Sequence, residues 1–330
     1  MESKLSHLGS MFHIAFRDIK ENYPAIILIV ISGIIAYSIS TLDPAFDALF
    51  LALFIGILFG SAYRGERKEY ISQKSLSVTL PIGIVLYGTN VVFPRGVEIP
   101  PVFIGVSLLS TLALGLSVFY MCRVINLSRK FTTLLACGNA ICGASAIAIV
   151  SSIIQPRKEE FSASIIIITV VGLTGAITYP SLYYILELSD LKYALLSGST
   201  LQQTGLVKIA SKQLGENIEA TALAIKAVRI AMIAVVALLV SFFYSDHRFY
   251  VPWYVVAFIL LAFLSENFLP RQIIEVLQPL STLAFSLTLA SIGFSVNLSD
   301  IQNVRLSPLI IVYSGWFLSV SFVLLLMTLV

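Results

Sequence analysis

Apolar runs of membrane-spanning length recur along the whole chain, and this one feature constrains the fold more than any other. "PAIILIVISGIIAYSIS", from Pro24, and "AMIAVVALLVSFFY", from Ala231, are two of them. A helix needs about 20 mostly apolar residues to cross a bilayer. Eleven such segments can be marked, at approximately 24–40, 44–62, 74–93, 101–122, 131–155, 161–186, 194–211, 217–244, 251–269, 272–295 and 306–330. Only 12% of the 330 residues are charged and the mean hydropathy is +0.93. Soluble domains carry about twice that charge fraction. The expected fold class is an all-α polytopic membrane protein of about ten to eleven transmembrane helices, with the lipid bilayer as its surroundings.

Three segments are atypical. The fifth contains "CGNAICGASAIA", residues 137–148, where small and polar residues replace the usual Leu, Ile and Val. The seventh, "LLSGSTLQQTGLVKIAS", is short and polar. The tenth repeats the small-polar character around Ser291, Gly293 and Asn297. With 1–43 set aside as a tail plus an extra helix, the other ten segments form two groups of five, 44–186 and 194–330. Gly143 and Gly293 then lie at the same offset from the starts of their groups. Five spans is an odd number, so the second group would be inverted relative to the first. Inverted repeats with interrupted helices at matching positions mark the binding site of a secondary transporter.

The charge distribution gives an orientation. A cytoplasmic N-terminus puts Lys4, Arg17, Lys20, the Arg64–Arg67–Lys68 cluster and Arg123, Arg129 and Lys130 on the cytoplasmic side, with Arg157 and Lys158 opposite. The positive-inside rule favours this arrangement in a cell or inner membrane. A formal charge of +3 implies no nucleic-acid partner.

Irregular backbone at membrane depth is tolerated only where protein or a cavity satisfies its polar groups. A break near Gly138–Gly143 would free the N–H groups of the half-helix that follows. Together with the helix dipole these make an anion site, to which Asn139 and Ser145 could add donors. Small residues also serve close helix packing, so the composition alone leaves both explanations open. Lys226 and Arg229, in "ALAIKAVRIAMIA", share a helix face. They require a compensating anion or a cavity, unless they snorkel to an interface. "GSTLQQTGLVK" adds the neutral donors Ser199, Thr200, Gln202, Gln203 and Thr204, or else is an extracellular-side loop or re-entrant turn without a ligand role.

Some chemistries find no residues here. His7, His13 and His247 lie near ends or loops, so neither a buried metal set nor a Ser–His pair is in view. Cys137 and Cys142 are five apart and do not fit a helical metal pair. Asp47 and Glu266 are isolated, and no carboxylate sits in the small-polar stretches. We therefore expect no enzyme, no catalytic residue, no metal and no cofactor.

Five motifs resemble the YeiH-type sulfate exporter family: "GNAICGASAIA" at 138–148, "TYP" at 178–180, "GSTLQQT" at 198–204, "IKAVRI" at 225–230 and "SIGFSV" at 291–296. The resemblance implies the inverted-repeat fold of sodium/proton antiporters and bile-acid transporters, with two crossing discontinuous helices. The family pattern carries a His-Glu pair where this chain has Gln202 and Gln203. The expected function is alternating-access transport of a small anion such as sulfate, a sulfonate or a related oxyanion. The alternatives are a cation-coupled organic-acid transporter and a non-enzymatic membrane sensor. The expected site is Asn139, Gly143, Ser145, Gln202, Gln203, Thr204, Lys226, Arg229, Ser291 and Asn297, with a small anion as the expected substrate and a homodimer as a candidate assembly.

Overall fold

The computed structural model describes residues 23–43, 46–65, 67–91, 99–212, 214–244, 252–296 and 306–328. Among them are thirteen α-helices and no strand. The first is α1, Tyr23–Leu42. It is followed by α2 (Ala48–Ala62), α3 (Lys68–Tyr87), α4 (Pro101–Val124), α5 (Arg129–Ala140), α6 (Ala144–Ile154) and α7 (Lys158–Ile185). The second half holds α8 (Asp190–Thr200), α9 (Thr204–Lys212), α10 (Glu216–Tyr244), α11 (Trp253–Asn267), α12 (Arg271–Ser295) and α13 (Ser307–Met327). Six of these (α1, α4, α7, α10, α12 and α13) are long and apolar enough to cross a membrane. The protein is an all-α polytopic membrane protein.

Polar contacts at the helix ends fix the topology. At one end, here end I, Ser128 Oγ donates to Glu160 Oε1 (2.6 Å) and Lys130 Nζ to the Gln155 carbonyl (2.9 Å). Arg129 Nη2 reaches the Phe243 carbonyl (3.2 Å), and Lys158 pairs with Glu69 (2.5 Å). The starts of α3, α5 and α7 and the ends of α6 and α10 therefore lie together. At end II, Lys192 Nζ donates to the Met327 carbonyl (2.9 Å) and Gln278 Nε2 to the Thr89 carbonyl (2.9 Å).

It follows that α5 and α6 leave end I and return to it. Their lengths of 12 and 11 residues, at about 1.5 Å per residue, reach roughly half-way across a hydrocarbon core of about 30 Å. The 11-residue α8 and 9-residue α9 do the same from end II. Tyr193 Oη donates to the Ala210 carbonyl (2.7 Å), and Ser197 and Ser211 face each other across this second hairpin (3.4 Å). The two hairpins enter from opposite ends and meet tip to tip. The remaining nine described helices run from end to end.

Two expectations are corrected. Segment five is broken where expected, near Gly138–Gly143, but returns as a re-entrant hairpin instead of crossing, and segment seven takes its re-entrant alternative. The second interruption is in segment seven, not segment ten, because α12 is one unbroken helix from Arg271 to Ser295, running through Gly293. The small residues of segment ten serve close packing. A Cβ on Gly56 would stand 2.5 Å from the Ala290 carbonyl oxygen, and one on Gly293 would overlap the carbonyl oxygen of Leu53. Such backbone approach is what small residues provide between helices in lipid. Arg157 and Lys158, expected opposite Arg129 and Lys130, lie at the same end as them.

Packing divides the chain into two bundles. One comprises α1, α2, α3, α11 and α12, with Gly33 of α1 against Leu287 of α12. The other holds α4, both hairpins, α7, α10 and α13. Each bundle draws on both sequence halves, so neither five-segment group is a packing unit by itself.

Candidate functional site

The hairpin tips build the site. The α5 tip runs from Asn139 to Gly143. Ile141 N–H bonds to the Cys137 carbonyl (3.0 Å) and Gly143 N–H to the Gly138 carbonyl (3.0 Å). Gly143 has φ +70°, a left-handed conformation that L side chains rarely adopt and that glycine takes freely. A Cβ there would stand 2.6 Å from Gln203 Cγ on the opposing tip. Both conformation and space therefore call for glycine at 143.

Four helix termini converge here. The C-terminal ends of α5 and α8 present carbonyls with no intrahelical donor, and the negative ends of two dipoles. Lys226 and Arg229 of α10, both fully buried, close them. Lys226 Nζ donates to the carbonyls of Ile141 (2.7 Å), Leu201 (2.6 Å) and Gln202 (2.5 Å). Arg229 donates from Nε to Ala140 (2.9 Å), from Nη1 to Leu201 (2.8 Å), and from Nη2 to Ala140 (2.6 Å) and Asn139 (3.1 Å). An ammonium has three donors, and all three of Lys226's are used. Where the sequence suggested a substrate anion, backbone carbonyls occupy all three Lys226 donors and four of the five Arg229 N–H groups in this structure. The two cations do not snorkel either. They staple both hairpins to α10.

The N-terminal ends of α6 and α9 are treated differently. Their first intrahelical bonds are Ile147 N–H to Gly143 O (3.1 Å) and Val207 N–H to Gln203 O (3.1 Å). The N–H groups of Ala144, Ser145, Thr204 and Gly205 precede those bonds and have no carbonyl of their own helix to meet. Both N-termini face a cavity of about 310 Å³ between the two bundles, on the end-II side. One wall is Cys142, Ala144, Ser145 and Gln203 to Leu206. The other comes from the α1–α3 and α12 bundle and includes Ser40, Asp47, Tyr87, Asn90 and Thr282. Among the described residues, no lysine or arginine lines it.

Side-chain amides tie the tips together. Gln202 Nε2 donates to Asn139 Oδ1 (2.8 Å) and Gln203 Nε2 to Thr169 Oγ1 (3.2 Å). Gln203 is only 4% exposed, yet its Oε1 has no partner among the described residues, and neither do Gln202 Oε1 and Asn139 Nδ2. An unpaired buried amide group costs about 1–3 kcal/mol. At Gln203 the amide borders the cavity, and turning it would offer its NH₂ to a ligand there.

Of the ten expected site residues, seven meet at the tips: Asn139, Gly143, Gln202, Gln203, Thr204, Lys226 and Arg229. Ser145 joins them as the second residue of α6. Ser291 does not. Its Oγ donates to Leu287 O (2.7 Å) and Ser75 Oγ (2.9 Å), against α3. Asn297 lies outside the described residues. Sequence reasoning missed the second wall. Asp47 was visible only as an isolated acid, and nothing in its neighbourhood marks it as facing residues a hundred positions away.

A family model described as "Conserved hypothetical protein 698" matches residues 24–312. A UPF0324 membrane protein of Archaeoglobus fulgidus is 47% identical over 308 residues, 93% of each chain. UPF0324 membrane proteins of Oceanobacillus iheyensis (27% over 267 residues; 75% of this chain and 77% of the relative) and Pseudomonas aeruginosa (26% over 288 residues; 80% and 81%) are also similar. No solved structure matches the chain. The printed descriptions specify a membrane protein and no substrate.

Proposed function

Starting from a chain that belongs to the family of UPF0324 membrane proteins, we propose that it is a secondary transporter of a small anion, a sulfate-, sulfonate- or carboxylate-type oxyanion. One observation carries this. Of the four helix ends at the tips, the two negative ones are neutralised by buried protein cations, and the two positive ones open on a cavity. Helix N-termini with free N–H groups attract anions. The same feature at the end of two half-helices is the recurrent substrate site of transporters with broken helices.

The two bundles supply the moving parts. A second cavity, of about 590 Å³, lies on the end-I side between α3 and α6–α7, lined in part by Gln73, Ser77, Ser151, Ser152 and Lys158. The hairpin tips separate it from the first. Movement of the hairpin bundle against the other would close one cavity and open the other. Among described residues, Arg64, Arg67, Lys68, Arg123, Arg129, Lys130, Arg157 and Lys158 cluster toward end I, against Lys192, Lys208, Lys212 and Arg271 toward end II. The positive-inside rule then makes end I cytoplasmic, with the site accessible from outside in this state and the N-terminus inside.

The test is exchange in proteoliposomes. Vesicles loaded with unlabelled oxyanion should take up its labelled form faster than empty vesicles, in the absence of sodium. Failure of sulfate, sulfonates and carboxylates alike to exchange, or to raise the melting temperature in detergent, would overturn the proposal.

A further inference from the structure

The tip cavity has two unlike walls. The hairpin wall is a donor wall, made by the N-termini of α6 and α9 with Ser145 and Gln203. Among the described residues, the facing wall contains one charged group, the Asp47 carboxylate, beside Tyr87, Asn90 and Ser40. Asp47 caps α2, where Oδ1 accepts the Phe50 N–H (2.7 Å). Among the described residues, no basic side chain lines the cavity to pair with it. A site for a simple anion would gain nothing from a carboxylate on its far side, because like charge disfavours the ligand in a partly desolvated space.

We propose, resting on the anion-site reading above, that the cavity takes a small zwitterion: an acid headgroup against the α6 and α9 N-termini, and an ammonium group against Asp47. The opposed walls match a molecule whose two charges are separated by a few bonds. An ammonium needs acceptors on several sides, and Asn90 and Ser40, which line the cavity with Asp47, carry side-chain oxygens that can accept. Gln203, buried at the cavity edge with its Oε1 unpartnered and its Nε2 on Thr169, would add a donor to the hairpin wall on turning its amide. The geometry also couples binding to movement. Each wall belongs to a different bundle, so a zwitterion bridges them and draws them together, whereas a plain anion contacts the hairpin bundle alone.

Matched pairs test this: β-alanine against propanoate, and 3-aminopropanesulfonate against propanesulfonate, by titration calorimetry and thermal shift on the intact protein. Each amino compound should bind about tenfold tighter than its plain partner, as about 1.4 kcal/mol for the ion pair implies. Asp47→Asn keeps a good helix cap. It should erase that preference by weakening the amino compounds and, with the like-charge repulsion removed, tightening propanesulfonate, while the ligand-free melting temperature stays near wild type. Equal affinity within each pair, or a preference that survives Asp47→Asn, would overturn the zwitterion assignment and leave the anion site standing. Propanesulfonate binding that strengthens from pH 8 to pH 5, without any amino preference, would also overturn it and make Asp47 a proton site. If no compound of either kind binds the wild type, the anion site itself is wrong.

Discussion

The two positive ends and the two negative ends of the hairpin helices lie within one small region, yet the protein handles them in opposite ways. The C-termini of α5 and α8 are shut by seven hydrogen bonds from Lys226 and Arg229. The N-termini of α6 and α9 are left on a cavity. Irregular backbone in a membrane must be satisfied by something. Where the protein supplies the partner, the region is structural. Where it withholds one, the region is available to a ligand. The contrast also separates two kinds of small-residue segment. Glycines in α2 and α12 bring two backbones together, whereas Gly143 lets the chain turn.

The closed ends should break most severely. Lys226→Met leaves the Ile141 and Gln202 carbonyls without a donor, at about 1–3 kcal/mol each. The melting temperature in detergent should fall by roughly 5 °C or more, with Arg229→Met at least as damaging. Normal stability with weakened ligand binding would instead return these cations to the substrate.

The two glycines should then part company. Gly293→Leu forces α2 and α12 apart and should cost about 1–3 kcal/mol as overpacking does, read as a lower melting temperature with ligand response retained. Gly143→Ala places a Cβ at φ +70° and against Gln203. Backbone strain of about 1–3 kcal/mol is then concentrated at the tip, so ligand-induced stabilisation and exchange should both be lost. Retained exchange in Gly143→Ala would show that the tip does not need its present shape.

Smaller effects belong to the open ends. Ser145→Ala removes one neutral donor, worth about 0.5–1.5 kcal/mol, and should weaken oxyanion affinity by about 2- to 10-fold, with a loss of ligand-free stability no larger than its contact with Tyr87 supplies. The smallest change is expected at the half-exposed Lys158–Glu69 pair. Such ion pairs contribute about 0–1 kcal/mol, so Glu69→Gln should leave both stability and binding within error.

Much of this was legible in the sequence. The polytopic helical class follows from the apolar runs, and the first break from the small, polar stretch at 137–148. Lys226 and Arg229 were recognisable as groups that must meet something. What they meet is not legible, because backbone carbonyls carry no mark in a sequence. Ser291 and Gly293 resemble a broken helix in composition and so point to a break in segment ten that α12 does not have. Composition does not distinguish a glycine that turns the chain from one that admits a neighbouring helix. The polar, short seventh segment was the real counterpart of the fifth. Its reversal depends on Tyr193 meeting Ala210, a contact across the hairpin that no periodicity reveals. Asp47 needed the packing of two bundles before it could be seen to face the tips.

The account rests on where an oxyanion sits, and a crystal soaked in selenate locates it directly through the anomalous signal of selenium. The expected result is a peak between the N-termini of α6 and α9, near Ser145 and Thr204, with the carbonyl contacts of Lys226 and Arg229 intact. A selenium peak coordinated by Lys226 or Arg229, with those carbonyl contacts broken, would contradict the division into closed and open ends.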